Sequence, residues 1–102
     1  MSNAIDCLRE QAFQAQKGLC YYCDHAMWVP RPGIKDGPRR YRCTAEHLEP
    51  KSEGGRNSRD NIAAACYFCN STRHKAKRPK APPVYRSYVQ RRLGKGQWHD
   101  NK

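Results

Sequence analysis

Two short cysteine pairs constrain this chain more than any other feature of its sequence. Cys20–Cys23 and Cys66–Cys69 both follow the pattern CxxC, and residues 24–65 separate the two pairs. A CxxC turn lets two thiolates reach one tetrahedral zinc ion at about 2.3 Å, and two such turns fill all four positions. We therefore predict one structural zinc site that is closed to water and has no catalytic role. The alternative is a redox CxxC, which is expected near a βαβ pattern that this sequence lacks.

Other residues are weaker candidates for this zinc. Cys7 and Cys43 receive no role, because a lone cysteine is usually a small buried hydrophobe. His25 follows Cys23 by two residues and is an alternative ligand. Since four better-spaced thiolates are present, we expect His25 to lie on the surface.

The chain is expected to depend on a metal or on disulfides, because its hydrophobic core must be small. It has 102 residues, of which 37% are hydrophobic, and its mean hydropathy is −1.08. Domains of this size often depend on a metal or on disulfides for stability. The sequence shows no membrane-spanning stretch and no secretory segment. We expect a cytoplasmic protein of bacterial or phage origin with reduced cysteines, in which residues 1–4 are an expression scar.

The charge of the chain predicts a polyanionic partner. Its formal net charge is +11, from 20 Lys and Arg against 9 Asp and Glu. Half of the cations follow residue 70, where Asp100 is the only acid. Nucleic acid is the polyanion that such a distribution favours. The alternative is a solvated tail that only increases solubility.

The spacing of apolar residues and of turn residues predicts a small α+β domain. We interpret residues 5–78 as this domain and residues 79–102 as a basic, proline-containing tail. The predicted elements, in chain order, are a helix over residues 5–17, a tight turn at 20–23, a loop over 29–39, a strand within 40–48, a surface loop over 49–60, a strand or helix start at 61–66, a helix over 67–77 and a short helix over 84–93. In the first strand, one face is predicted to hold the side chains of Tyr41, Cys43, Ala45 and His47.

Between the cysteine pairs, the residue types suggest hydrolysis of a phosphodiester. A neutral histidine such as His47 accepts a proton from water near neutral pH. The oxygens of Glu46 and Asn70 suit a hard divalent cation that neutralises a phosphate. If Glu46 and His47 share a strand, their side chains point to opposite faces and address different groups.

This ordered set of residues resembles the HNH endonucleases, whose fold is the ββα-metal fold. The matching positions cover residues 20 to about 77, and the ordered combination is specific although each piece is common. They are the two CxxC pairs, Glu46-His47, Pro50, Gly54-Gly55, Asn61, Asn70 and Lys75. The resemblance implies a treble-clef-like ββα-metal domain that is stabilised by the four-cysteine zinc and flanked by terminal helices.

The resemblance also implies a role for each matching residue. His47 takes the general-base position, with its imidazole polarised by a backbone carbonyl. Asn61 braces the loop and keeps the histidine oriented. Glu46 and Asn70 fall on the positions that bind the catalytic cation, and His74, one helical turn after Asn70, is a candidate third ligand. An equally open alternative places His74 at the helix end beside a phosphate backbone.

Two departures from the commonest family pattern affect the cation. The acid is Glu46 where Asp is usual, which makes the carboxylate one methylene longer. Asn70 replaces a histidine and offers a neutral oxygen, so Mg²⁺ or Mn²⁺ is favoured over a softer metal.

Several basic residues are candidates for contacts with DNA. We expect Arg73, Lys75 and Lys77 to contact the phosphate backbone without reading bases. Aromatic residues of the tail either stack on bases or dock the terminal helix on the domain. These are Tyr85, Tyr88 and Trp98. We expect a monomer or a weak dimer.

Three functions remain open on the sequence alone. The first is a metal-dependent endonuclease that cuts DNA. The second is a catalytically inactive, zinc-stabilised module that binds DNA. The third is an interaction domain whose basic surface meets an acidic protein.

Overall fold

The predicted α+β class is confirmed by a computed structural model, which describes residues 4–33 and 37–99. Its elements, in chain order, are helix α1 (Ala4–Ala15), strand β1 (Cys43–His47), strand β2 (Ile62–Cys66), helix α2 (Tyr67–Lys75) and helix α3 (Pro82–Gly94). Short 3-10 turns lie at Arg39–Tyr41 and Lys51–Glu53. Most of the predicted loop over 29–39 lies within the described residues, but residues 34–36 fall outside them.

Helix α1 ends where the chain adopts left-handed backbone. Lys17 and Gly18 have φ angles of 57° and 77°, and the Gly18 amide donates to the Phe13 carbonyl at 2.8 Å. Such a closing turn satisfies carbonyls that the helix end leaves open. The side chain of Gln16 then pairs with the backbone of β2, donating to the Ala64 carbonyl at 2.8 Å and accepting from the Ala64 amide at 3.0 Å. These bonds fix α1 on the sheet.

The two strands form one antiparallel hairpin between α1 and α2. Cys43 pairs with Cys66, and His47 pairs with Ile62. All five residues of β2 are buried, as its apolar sequence predicts. In β1 the buried residues are Cys43 and Glu46, so the predicted face of alternating residues does not describe its burial. The reason is that helices cover both sides of this strand: α1 lies against the face of Cys43, and α2 against the face of Glu46.

Helix α3 packs on the domain and carries the chain end back to the cysteines. Tyr85 and Val89 are buried, and the Tyr85 hydroxyl donates to the Cys69 carbonyl at 2.8 Å. Trp98 is buried beyond the helix. The predicted terminal helix is thus present, and it contributes to the core. Among the described residues, no helix has both the length and the apolar character that crossing a membrane requires.

Candidate active site

The four predicted zinc ligands converge in the core. The Sγ atoms of Cys20, Cys23, Cys66 and Cys69 all lie within 4.8 Å of one another, and every one of these residues is buried. The Cys23 and Cys66 sulfurs are 4.0 Å apart. Tetrahedral coordination at about 2.3 Å places sulfurs about 3.8 Å apart, so the cluster fits a metal such as zinc. Cys66 ends β2 and caps α2, with its sulfur accepting from the Cys69 amide at 3.4 Å.

Nitrogen donors surround these sulfurs. Backbone amides of Tyr22 and Cys66 donate to Cys20 Sγ at 3.4 and 3.3 Å. Trp98 Nε1 donates to Cys69 Sγ at 3.2 Å, and His99 Nε2 lies 3.1 Å from Cys23 Sγ. Donors in these positions stabilise negative sulfur, which a thiolate ligand requires. Trp98 and His99 therefore cover the cluster, and the buried Trp98 is not available to stack on bases.

The remaining cysteine and histidine near the cluster do not join it. Cys43 is buried, and burial raises the pKa of its thiol to about 12. Such a thiol is neutral and unreactive. His25 is exposed and stacks on Tyr41, with ring centroids 3.7 Å apart. Its surface position agrees with the expectation from the sequence.

Glu46 lies buried between the first cysteine turn and α2. The Tyr22 hydroxyl and Arg73 Nη1 donate to its Oε2 at 2.8 and 2.9 Å. Its other oxygen, Oε1, accepts from His74 Nε2 at 2.9 Å. Burial, and after it the charge of Glu46, raise the pKa of Tyr22 far above its ordinary value, so its hydroxyl remains a donor. Every oxygen of this carboxylate is therefore hydrogen-bonded, as a buried charge requires.

Helix α2 presents the polar side chains of Asn70, Arg73 and His74 to β1. Asn70 and His74 are one turn apart and share a face. The Asn70 amide nitrogen donates to Thr44 Oγ1 at 3.0 Å and to the Ala45 carbonyl at 3.1 Å, so its amide oxygen is the atom that a cation would contact. Neighbouring ligands of an octahedral cation with bonds of about 2.1 Å lie about 3 Å apart. The distance of 2.9 Å between Glu46 Oε1 and His74 Nε2 fits this spacing. A cation bound here would replace the hydrogen between them.

His47 is held on the loop side of β1. Its Nε2 lies 2.7 Å from Asn57 Oδ1. Because an amide oxygen only accepts hydrogen bonds, Nε2 carries the hydrogen and Nδ1 keeps its lone pair. The group that orients the imidazole is thus a side-chain amide, whereas the family resemblance implied a backbone carbonyl.

Asn61 ties the loop over residues 49–60 to the end of β1. The Glu49 amide donates to Asn61 Oδ1 at 2.8 Å, and Asn61 Nδ2 donates to the carbonyls of Glu49 and Arg56 at 3.1 and 3.0 Å. The glycine pair makes the loop compact. Gly54 is left-handed with φ 94°, and a Cβ on Gly55 would collide with the Glu49 carbonyl. These contacts place Asn57 where it meets His47.

The predicted nucleic-acid contacts divide into two groups. Lys75 and Lys77 are exposed at the end of α2. Arg73 is not, since its side chain is only 2% exposed and its guanidinium bonds Glu46. The prediction that Arg73 contacts phosphates is therefore wrong for this structure. Tyr85 is also buried and serves to dock α3.

Sequence reasoning missed the residues that act through Glu46 and His47. Tyr22 gives no signal of this role, because nothing in a CxxC pattern shows that its hydroxyl reaches an acid 24 residues away. Asn57 lies in a polar loop where many residues have the same composition. Arg73 had one available signal, its position on α2 directly before His74, but its charge favoured the surface.

One comparison with known proteins identifies a domain family. Residues 31–76 match the family model described as HNH endonuclease. The match contains Glu46, His47, Asn61 and Asn70, and it leaves out the first cysteine pair, α1 and α3. The recognition of an HNH endonuclease domain from the sequence is therefore confirmed. Searches of curated proteins and of solved structures gave no match.

Proposed function

We propose that this protein is a metal-dependent endonuclease that hydrolyses phosphodiester bonds of DNA. The observation that carries the proposal is the proximity of two features at the end of β1, one of them completed by α2. Glu46 Oε1 and His74 Nε2 lie at ligand spacing beside α2, and the next residue of β1, His47, is oriented as a base. The match to HNH endonucleases supports nuclease chemistry at these residues.

His47 provides the proton acceptor. With Nε2–H donating to Asn57, Nδ1 takes a proton from the water whose oxygen attacks phosphorus. The bond between phosphorus and the 3′ oxygen then breaks, which leaves a 5′ phosphate, and the departing 3′ oxygen takes a proton from solvent water to become a 3′ hydroxyl. Asn57 holds the ring and its tautomer, and Asn61 holds the loop that carries Asn57.

Glu46, Asn70 and His74 provide the ligands of a divalent cation. When bound, the cation stabilises negative charge on the phosphate and on the departing oxygen. Two oxygen ligands and one imidazole favour Mg²⁺ or Mn²⁺. The four cysteines hold a separate zinc ion, whose closed site leaves it a structural role only.

The basic surface provides affinity for DNA without a code for bases. Lys75 and Lys77 lie just beyond His74 on the surface, within reach of a backbone at the site. A net charge of +11 predicts binding that weakens steeply as salt rises. Contacts with phosphates position a protein on DNA and carry no sequence information directly.

Plasmid nicking tests the catalytic assignment. We expect the wild type to convert supercoiled plasmid to nicked or linear DNA with Mg²⁺ or Mn²⁺. His47→Ala should lower the single-turnover rate by about 10²- to 10⁴-fold, the usual worth of a general base. His25→Ala is the matched control, since it removes an exposed histidine whose ring contacts Tyr41 and His99, neither of which is proposed to bind the cation or DNA. Equal cleavage by wild type and His47→Ala would reject the assignment.

A second function, DNA binding without cleavage, is favoured by one observation. The carboxylate of Glu46 is already paired with Arg73, so the domain is stable without a catalytic cation. Salt-dependent DNA binding with no cleavage under Mg²⁺, Mn²⁺, Ca²⁺ or Zn²⁺ would establish this function instead.

A further inference from the structure

Arg73 places a fixed positive charge beside the carboxylate that a catalytic cation needs. Its Nη1 donates to Glu46 Oε2 at 2.9 Å. Its other N–H groups face carbonyls: Nε donates to Lys80 O at 3.0 Å, and the two terminal nitrogens lie 3.4 and 3.5 Å from the carbonyls of His47 and Leu48. A guanidinium held both by residues 46–48 and by Lys80 cannot turn outward to bind phosphate.

The charges of the site therefore cancel before a cation arrives. Within residues 4–33 and 37–99, Glu46 is the only buried acid and Arg73 the only buried base. Asn70 carries no charge, and an imidazole such as His74 must be neutral to bind a cation. A hard divalent cation is usually bound by one or two carboxylates together with phosphates of the substrate. Here the one carboxylate is already neutralised, so the protein alone offers the cation little net negative charge.

We propose that Arg73 makes binding of the catalytic cation depend on bound DNA. The free protein binds Mn²⁺ or Mg²⁺ weakly, and a phosphate of the DNA backbone supplies the charge that completes the site. Arg73 is thus a positioning residue, which sets the charge of Glu46 and does not touch the substrate. The inference rests on the proposed function, because it concerns the same cation.

Linkage makes the proposal quantitative. If DNA raises the affinity for Mn²⁺ by some factor, Mn²⁺ must raise the affinity for DNA by the same factor. Couplings of this kind are typically about 5- to 150-fold. We expect a factor of at least about five for this protein.

The experiment measures Mn²⁺ binding directly, without using activity. The full chain carrying His47→Ala prevents cleavage. Electron paramagnetic resonance of free Mn²⁺ then gives the affinity with and without a short DNA duplex, and fluorescence anisotropy gives DNA affinity with and without Mn²⁺. The double variant His47→Ala/His74→Ala corrects for Mn²⁺ that binds to DNA or to other surfaces.

Two substitutions at the same carboxylate oxygen separate charge from hydrogen bonding. Arg73→Gln removes the positive charge and should tighten Mn²⁺ binding to the free protein while reducing the coupling. Tyr22→Phe removes a hydrogen bond but no charge, so it should keep the coupling. Zinc content and circular dichroism verify that each variant is folded. If Arg73→Gln does not fold, the coupling measured in the His47→Ala protein still decides whether binding of the cation depends on DNA.

The possible results distinguish the inference from the proposed function. A coupling of about fivefold or more in both measurements supports the inference. Mn²⁺ affinity that is equal with and without DNA, in a protein whose wild type cleaves, overturns the inference alone. No Mn²⁺ binding at His74 under either condition, together with no cleavage, overturns both.

Discussion

Replacing Cys66 by Ser should unfold the domain by removing its metal. Cys66 is buried, joins β2 to α2, and belongs to a cluster whose sulfurs span less than 4.8 Å. A metal that holds Cys23 and Cys66 together closes the long loop between them. The loop-closure relation derived for disulfides gives about 4 kcal/mol for a loop of this length. Small domains are stable by only about 5–15 kcal/mol, so this loss alone removes a large part of the stability.

Serine at position 66 removes the metal ligand but preserves the cap of helix α2, so the two effects on stability can be separated. Serine is a favoured residue at a helix N-terminus, so the hydroxyl can accept from the Cys69 amide as the sulfur does. Any large loss of stability then comes from the missing ligand. Cys7→Ser is the matched control, because Cys7 is exposed and distant from the cluster in sequence.

Zinc content and thermal denaturation measure the outcome. We expect Cys66→Ser to contain no zinc and to lack a cooperative transition in circular dichroism. Cys7→Ser should retain one zinc per chain and the wild-type midpoint. A zinc-free Cys66→Ser protein with an unchanged midpoint would refute the reasoning, because the core alone would then stabilise the fold.

Three further predictions follow from individual contacts. Tyr22→Phe removes a buried hydrogen bond to the charged Glu46 and should lower the free energy of unfolding by about 1.5–3 kcal/mol in urea titrations; an unchanged midpoint and slope would contradict this. Because burial raises the pKa of Cys43 to about 12, its thiol should resist iodoacetamide at about pH 8 and react only when the pH approaches 12, whereas exposed Cys7 is alkylated; equal labelling would show that Cys43 is accessible. Asn61→Ala should speed hydrogen exchange at the Glu49 amide, which loses its acceptor, and equal protection in both proteins would argue against a clamped loop.

Most of the fold could be predicted from the spacing of the cysteines. Two CxxC turns have few ways to share one metal, so the convergence of β2, α2 and the first turn could be anticipated. The terminal helix was also predicted, over residues 84–93, but the prolines before it were expected to break the chain, whereas Pro82 starts the helix. Its burial of Tyr85 and the closure of the cluster by Trp98 depend on packing between distant segments, and aromatic residues among cations look the same when they bind nucleic acid.

The chemical environment of Glu46 was less predictable than its presence. Adjacency to His47 on a strand correctly sends the two side chains to different sides. Which charges surround the carboxylate depends on the depth to which β1 is covered, and the sequence pattern places Glu46 only on the face opposite His47. With α2 packed there, the acid requires partners, and Arg73 and Tyr22 supply them. The contact between Asn57 and His47 was equally unpredictable, because it depends on the path of the loop over residues 49–60.

The most direct test of the account is the position of the catalytic cation. Crystals of His47→Ala with a DNA duplex and Mn²⁺ would give its position by anomalous scattering. We expect a peak about 2.1 Å from both Glu46 Oε1 and His74 Nε2, next to a phosphate oxygen and separate from the zinc among the sulfurs. A cation bound elsewhere, with the hydrogen bond between Glu46 and His74 intact, would contradict the account.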